Sequence, residues 1–161
     1  MSRGEYVFGY GSLMEKASRT RTDPESVLAW PARVTGYERG WFHQFAKHVG
    51  KSCTFLGAKG PAGATMNGVI YHVGDFEKTK DRETGYTPAL LKGDQIQMLD
   101  GAGPWDRGQV YIFVSNENCI KEPTRDCPMV QSTAVRLKVE ENQLVSIFDE
   151  IGVLVDGLKS A

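Results

Sequence analysis

Residues 6–13 read Tyr-Val-Phe-Gly-Tyr-Gly-Ser-Leu, a short apolar strand that runs straight into a Gly-Tyr-Gly-Ser turn. Glycine at positions 9 and 11 permits backbone angles that side chains resist and lets a ligand come close to the main chain. Successive N–H groups in such a turn can converge into a concave nest for an anion, with the Ser12 hydroxyl as an added donor. The expected guest is a small carboxylate or phosphate. Glycine pairs after strands are also ordinary turn chemistry, and on pattern alone that is the commoner reading. A second motif has to decide.

Strand signals continue outward from this segment. In 32–45, Val34, Tyr37, Trp41, Phe42 and Phe45 form strand-like runs, and Gly36 and Gly40 predict bulges or bends within them. Residues 53–56 and 68–73 are further strands, with the Gly/Ala/Pro-rich stretch 57–64 as the loop between. Segments 94–99 and 109–114 read as the clearest pair, joined through the turn residues Asp100-Gly101-Ala102-Gly103-Pro104. Many short strands at this spacing favour a closed or strongly curved sheet over a doubly wound one. The carboxyl end changes period: Leu144, Phe148, Ile151, Val155 and Leu158 lie on one face of a helix, which predicts packing against the sheet or a dimer contact.

The 161 residues are 40% hydrophobic and suit one domain, 1–161, with a full core. Lys and Arg number 19 against 20 Asp and Glu, so the net charge is −1 and no long segment carries one sign. That balance argues against nucleic acid or a membrane surface as partner. No stretch approaches the length of a membrane span, and a cytoplasmic location is expected. Cys53, Cys119 and Cys127 are too few and odd in number for a disulfide framework and read as free thiols. His43, His48 and His72 have no metal-ligand spacing, so neither a metal nor a cofactor is expected. Strand alternation alone accounts for His72, and Trp30, Trp41 and Trp105 read as core or rim packing.

The second motif is Asp81-Arg82-Glu83-Thr84-Gly85-Tyr86. Asp75 is placed to cap a short helix that ends before Gly85, which sets a carboxylate at the end of an element beside an Arg, a Gly and a Tyr. Taken alone, an Asp-Arg-Glu run is usually a solvated helix face, and Arg82 would pair with Asp81 or point to solvent. Taken together, residues 6–13 and 81–86 resemble the two signature segments of the γ-glutamylcyclotransferase-like superfamily: a Tyr-Gly-Ser-type loop after the first strand, and a Glu in an Arg-Glu-x-Gly-Tyr-like segment. The first segment is similar to the glutathione-acting branch. Arg33-Val34-Thr35-Gly36-Tyr37 and Gly68-Val69-Ile70-Tyr71 resemble the family's second strand and the strand before its catalytic Glu, so the likeness runs in order over roughly residues 5–115. Residues 134–161 match weakly. Thr79 and Lys80 stand where relatives often have an apolar residue and Asp, and Thr133 follows Cys127-Pro128-Met129-Val130-Gln131-Ser132 where relatives often have Tyr.

The resemblance implies an α+β domain built round a small mixed β-barrel with flanking helices. It implies a cyclotransferase in which the α-amine of a γ-glutamyl compound attacks its own γ-carbonyl, closing 5-oxoproline and releasing the amine partner. The nucleophile then comes from the substrate, and the enzyme must move a proton to the leaving nitrogen. Glu83 is the candidate general acid and base. Val7, Phe8, Gly9, Tyr10, Gly11, Ser12 and Leu13 are the candidate substrate loop. Tyr86 lines the pocket or packs in the core. The implied partner is a small γ-glutamyl molecule such as glutathione or a γ-glutamyl dipeptide, and the chain is a monomer or homodimer. A γ-glutamylamine substrate, or a catalytically silent domain that binds a small carboxylate or acts in interactions, are the alternatives.

Overall fold

The structure is a computed structural model and describes residues 4–48 and 51–120. The predicted C-terminal helix, the segment around Thr133, and Cys127 lie outside these residues. The chain divides into two compact units: Met1–Glu38 with Lys59–Val114, and Arg39–Ala58 with Ser115–Ala161.

The first unit is built on a six-stranded sheet. In chain order it contains β1 (Gly4–Gly9), the short helix α1 (Lys16–Thr20) and β2 (Ala29–Thr35). Strands β3 (Glu38–His48) and β4 (Lys51–Lys59) intervene and pair with each other in a separate two-stranded sheet. Strand β5 (Thr65–Val73), helix α2 (Phe76–Arg82), β6 (Tyr86–Leu90), β7 (Ile96–Met98) and β8 (Gly108–Ser115) complete the set. The sheet order is β6-β8-β1-β5-β2-β7. Strand β1 lies antiparallel to β5 and parallel to β8, so the sheet is mixed.

The α+β class and mixed sheet with flanking helices agree with expectation, but among the described residues the sheet is open, ending at β6 and β7, and is not closed into a barrel. Segment 32–45, read as one strand-like region, divides at Gly36. That glycine takes φ +100, a left-handed turn where a side chain is strained, between the end of β2 at Thr35 and the start of β3 at Glu38, and β3 pairs with β4 in a separate sheet. Gly40, predicted to bend the chain, lies within continuous β3. Segments 94–99 and 109–114 also do not pair with each other. β7 adds to β2, whereas β8 crosses the sheet to lie between β6 and β1. The turn residues between them are as read: Gly101 and Gly103 have φ +75 and +80, and the Asp100 carboxylate accepts the Ala102 N–H.

Alternation along the strands gives the sheet two chemically different faces. On one, Phe8, Ala32, Val34, Ile70 and Ile112 are buried to 1% exposure or less. Each of the larger side chains contributes about 1.5–3 kcal/mol by leaving water. The same face carries Tyr6, Trp30 and His72 toward one end. There Tyr6 meets His72 and Trp105 edge-on at 5.4 and 4.9 Å, and the Arg107 guanidinium lies 4.4 Å over Trp30. Trp30, Trp105 and His72 are thus packing residues, as their sequence setting predicts. The other face carries Val7, Tyr71, Val73 and Phe113 in one cluster with Leu13, and Val69, Phe76 and Tyr86 pack against it. Helix α2 sits over this face through Phe76, whose ring lies 4.8 Å from that of Tyr111 and 6.1 Å from that of Phe113.

In the second unit, Phe42, His43, Ala58 and Cys119 are buried, and His43 bridges to Ile120. Gly57 is required there by space: a Cβ would strike Ser115 Oγ and come within 3.0 Å of His43 and Phe42. Among the described residues, no helix is long and apolar enough to cross a membrane.

Candidate active site

Strand β1 ends at Gly9, and the chain turns through Tyr10 and Gly11 into a single 3-10 turn, Ser12–Met14, before α1. The first N–H bonded within this turn is that of Met14, to the Gly11 carbonyl at 3.0 Å, followed by Glu15 to Ser12 at 3.2 Å. The donors ahead of Met14 are those a helix start leaves without an intrahelical acceptor. Ser12 is exposed and Gly11 half-buried, so the turn faces outward at these positions. Neither Gly9 nor Gly11 has a positive φ. Gly9 is instead required by close approach: a Cβ there would lie 2.9 Å from that of Leu13 and 3.1 Å from its backbone. The side chains of Val7, Phe8 and Leu13 are buried, and the Tyr10 hydroxyl donates to the Phe113 carbonyl at 2.6 Å. What these four residues offer a substrate comes from main chain and shape.

The second motif is positioned by helix α2. Asp75 caps it as predicted, its carboxylate accepting the Lys78 N–H at 3.1 Å, and that bond holds the Asp75 carboxyl below its ordinary pKa. The helix ends on Glu83, whose N–H donates to Thr79 at 3.0 Å, and Gly85 follows at φ +90. The Glu83 side chain is 17% exposed, with its carboxylate 3.3 Å from Arg82 Nε. The Tyr86 N–H donates to the Glu83 carbonyl at 3.0 Å, and the Tyr86 ring packs on the cluster that holds Leu13.

Arg82 corrects the sequence-based reading, because it turns inward and its side chain is 22% exposed. Its Nη1 donates to the Ser18 carbonyl at 2.6 Å and Thr22 Oγ1 at 2.7 Å, and Nη2 donates to Ser18 Oγ at 2.8 Å. Two further residues, which sequence reasoning missed, bind the same stretch. Arg19 is 5% exposed and donates to the carbonyls of Met14, Ser26 and Val27 at 2.9, 2.8 and 3.1 Å. Asp23, equally buried, accepts the N–H groups of Glu25, Gly74 and Asp75 at 3.0, 2.6 and 3.2 Å. Asp23 thereby fixes the 14–27 stretch to the turn that starts α2. Removing it with Asp23→Ala takes the acceptor from three part-buried N–H groups and is expected to cost about 1–3 kcal/mol in chemical denaturation. Stability within 0.5 kcal/mol of wild type, roughly a neutral surface change, would refute this role.

Tyr71 joins the two motifs. It lies on β5 opposite Val7, it belongs to the same cluster as Leu13, and the Arg19 guanidinium sits 5.7 Å over its ring. Burial first, and then the negative charge of Glu83, push its phenol well above the ordinary tyrosine range. The signal was present in the 69, 71, 73 alternation, which places Tyr71 on the face that carries Val7. With the folded pKa raised, the stabilising effect of the neutral phenol is complete below about pH 10, the unfolded tyrosine value. It is lost as pH rises beyond that toward the folded value. Tyr71→Phe should therefore flatten the alkaline fall in stability. An alkaline limb identical to that of wild type would show that Tyr71 does not couple to folding in this way.

No protein-family model and no curated protein matches the chain. Solved structures do. The uncharacterized protein loc79017 from Homo sapiens aligns with a TM-score of 0.55 at 13% identity, over 72% of this chain and 69% of that one. YkqA from Bacillus subtilis aligns with a TM-score of 0.53 at 19% identity over 83% of this chain, and this chain spans about half, 49%, of its length. The glutathione-specific γ-glutamyl cyclotransferase from yeast aligns with a TM-score of 0.51 at 15% identity, over 83% and 77% of the two chains. The chain has the γ-glutamylcyclotransferase-like fold, as the two sequence motifs imply.

Proposed function

We propose that this chain is a γ-glutamylcyclotransferase that converts glutathione or a γ-glutamyl dipeptide into 5-oxoproline and the free amine partner. The observation that carries the reading is the placing of Glu83. A half-buried carboxylate stands at the end of a capped helix, between Phe76 and Tyr86, which both pack on the cluster that holds Leu13 of the glycine-rich turn, and its charge acts on the Tyr71 phenol of that cluster. A base at that position takes a proton from the substrate's α-amine, and the same carboxyl group, now protonated, delivers it to the leaving nitrogen. The new bond joins the α-nitrogen to the carbonyl carbon of the γ-amide, closing a five-membered ring, and the bond that breaks is that amide's C–N. Gly11 and Ser12 supply outward-facing main-chain and hydroxyl donors for the substrate α-carboxylate. Holding the folded substrate with its amine near the carbonyl contributes several kcal/mol of the order expected for pre-oriented intramolecular reactions.

Supplying glutathione, a γ-glutamyl dipeptide and γ-glutamyl-lysine separately, with 5-oxoproline as the readout, tests this function. Turnover of one of the first two, unaffected by a chelator, is the expected result. Preference for γ-glutamyl-lysine would move the assignment to a γ-glutamylamine cyclotransferase, and silence with all three would favour a carboxylate-binding or interaction domain. Gly11→Val is expected to raise KM by crowding the turn, and an unchanged KM would contradict a substrate role for it.

A further inference from the structure

We propose that Arg82 is a positioning residue that fixes the Glu83 carboxylate relative to the substrate turn; this rests on the reading of Glu83 as the acid and base. The two motifs are far apart in sequence, and the structure joins them through one planar cation. From the end of α2, Arg82 reaches residues 64 and 60 positions earlier, Ser18 within α1 and Thr22 just beyond it. Three donated hydrogen bonds of 2.6–2.8 Å fix the guanidinium plane on that stretch. Its Nε edge then lies 3.3 Å from Glu83 Oε1. Since α1 follows directly on the Ser12–Met14 turn, the stretch that orients Arg82 is the continuation of the proposed substrate loop.

The geometry needs a fork. The Ser18 carbonyl and hydroxyl and the Thr22 hydroxyl accept from the two Nη atoms, and Nε stands 3.3 Å from the carboxylate. A lysine ammonium is a single point with no second edge, so it serves Ser18 and Thr22 or Glu83, but does not span both. Ser18 is 3% exposed and Arg82 and Glu83 are 22% and 17% exposed, so water competes weakly for these bonds. A general base held within hydrogen-bond reach of a proton loses rate steeply when it drifts. Arg82 is not itself required to touch substrate.

The test is steady-state kinetics on the full chain, with 5-oxoproline as product, for wild type, Arg82→Met, Arg82→Lys and Thr22→Val. Arg82→Met is expected to lower kcat about tenfold or more while KM stays within about twofold, the split that mispositioning of a base produces. Arg82→Lys should restore only a small part of that kcat. Thr22→Val removes one half-buried hydroxyl from the clamp and should lower kcat measurably with the fold intact by circular dichroism. It therefore carries the test should Arg82→Met fail to fold. Wild-type kcat in folded Arg82→Met or in Thr22→Val, with only thermal stability reduced, would overturn the positioning role and leave the Glu83 assignment standing. An inactive wild type would overturn both, and full activity in Glu83→Gln would do the same from the other side.

Discussion

Glu83→Gln is expected to reduce kcat by roughly 10²- to 10⁴-fold, the usual contribution of a positioned general acid and base. Glutamine keeps the length of the side chain and an oxygen that can face Arg82 Nε, which lies 3.3 Å from the carboxylate in the wild type. It cannot take a proton from the substrate amine. The outward-facing Gly11 and Ser12 are untouched, so substrate affinity measured by calorimetry should stay within a few-fold of wild type. Loss of turnover together with loss of binding would point to a binding role for Glu83. Wild-type turnover would remove it from the chemistry.

Gly68→Ala is expected to destabilise the fold strongly, because the methyl has no room between β5 and β1. A Cβ at Gly68 would overlap the Gly9 carbonyl oxygen and come within 2.6 Å of the Phe8 ring. The obstacle is β1 backbone as well as a ring that is 1% exposed, and neither yields without opening the β1–β5 ladder. Overpacking of this kind costs about 3 kcal/mol at the upper end of its range, which lowers Tm by roughly 6–12 °C in a chain of this size. The displaced atom belongs to Gly9, so the variant should also raise KM through the turn that follows. A Tm within about 1 °C of wild type would mean that β1 and β5 have slack that the packing does not show.

Much of this was legible before the fold was known, for identifiable reasons. The apolar run ending at Gly9 could only be a strand leading into a turn, and Asp75 and Gly85 marked the two ends of α2 through side-chain and backbone chemistry that acts within a few residues. What escaped was long-range. Strand β3 pairs with β4 in a sheet of its own, and an expectation of closure that counts strands does not register which strands pair. Segments 94–99 and 109–114 look like a hairpin because their turn residues are local, but their partners, β2 and β1, lie far away in sequence. Arg19, Asp23 and Arg82 look like surface charges in a polar stretch. Their meaning comes from backbone groups that the fold brings to them, such as the Gly74 N–H for Asp23 and the Ser18 carbonyl for Arg82.

The same reasoning separates what Tyr10 and Tyr86 do. Both are tyrosines next to motif glycines, and sequence alone treats them alike. The structure commits the Tyr10 hydroxyl to the Phe113 carbonyl, which locks the turn to β8. Tyr86 remains half-buried at the rim of the cluster, one turn from Glu83, where a ring can line a pocket.

The central claim is intramolecular cyclisation, and it is tested most directly by running the reaction in ¹⁸O-labelled water and reading the product by mass spectrometry. Attack by the substrate's own amine breaks the amide without consuming water, so the account predicts 5-oxoproline free of the label, in step with release of the amine partner. Labelled glutamate would mean that water is the nucleophile and that the chain is a hydrolase, which would contradict the account.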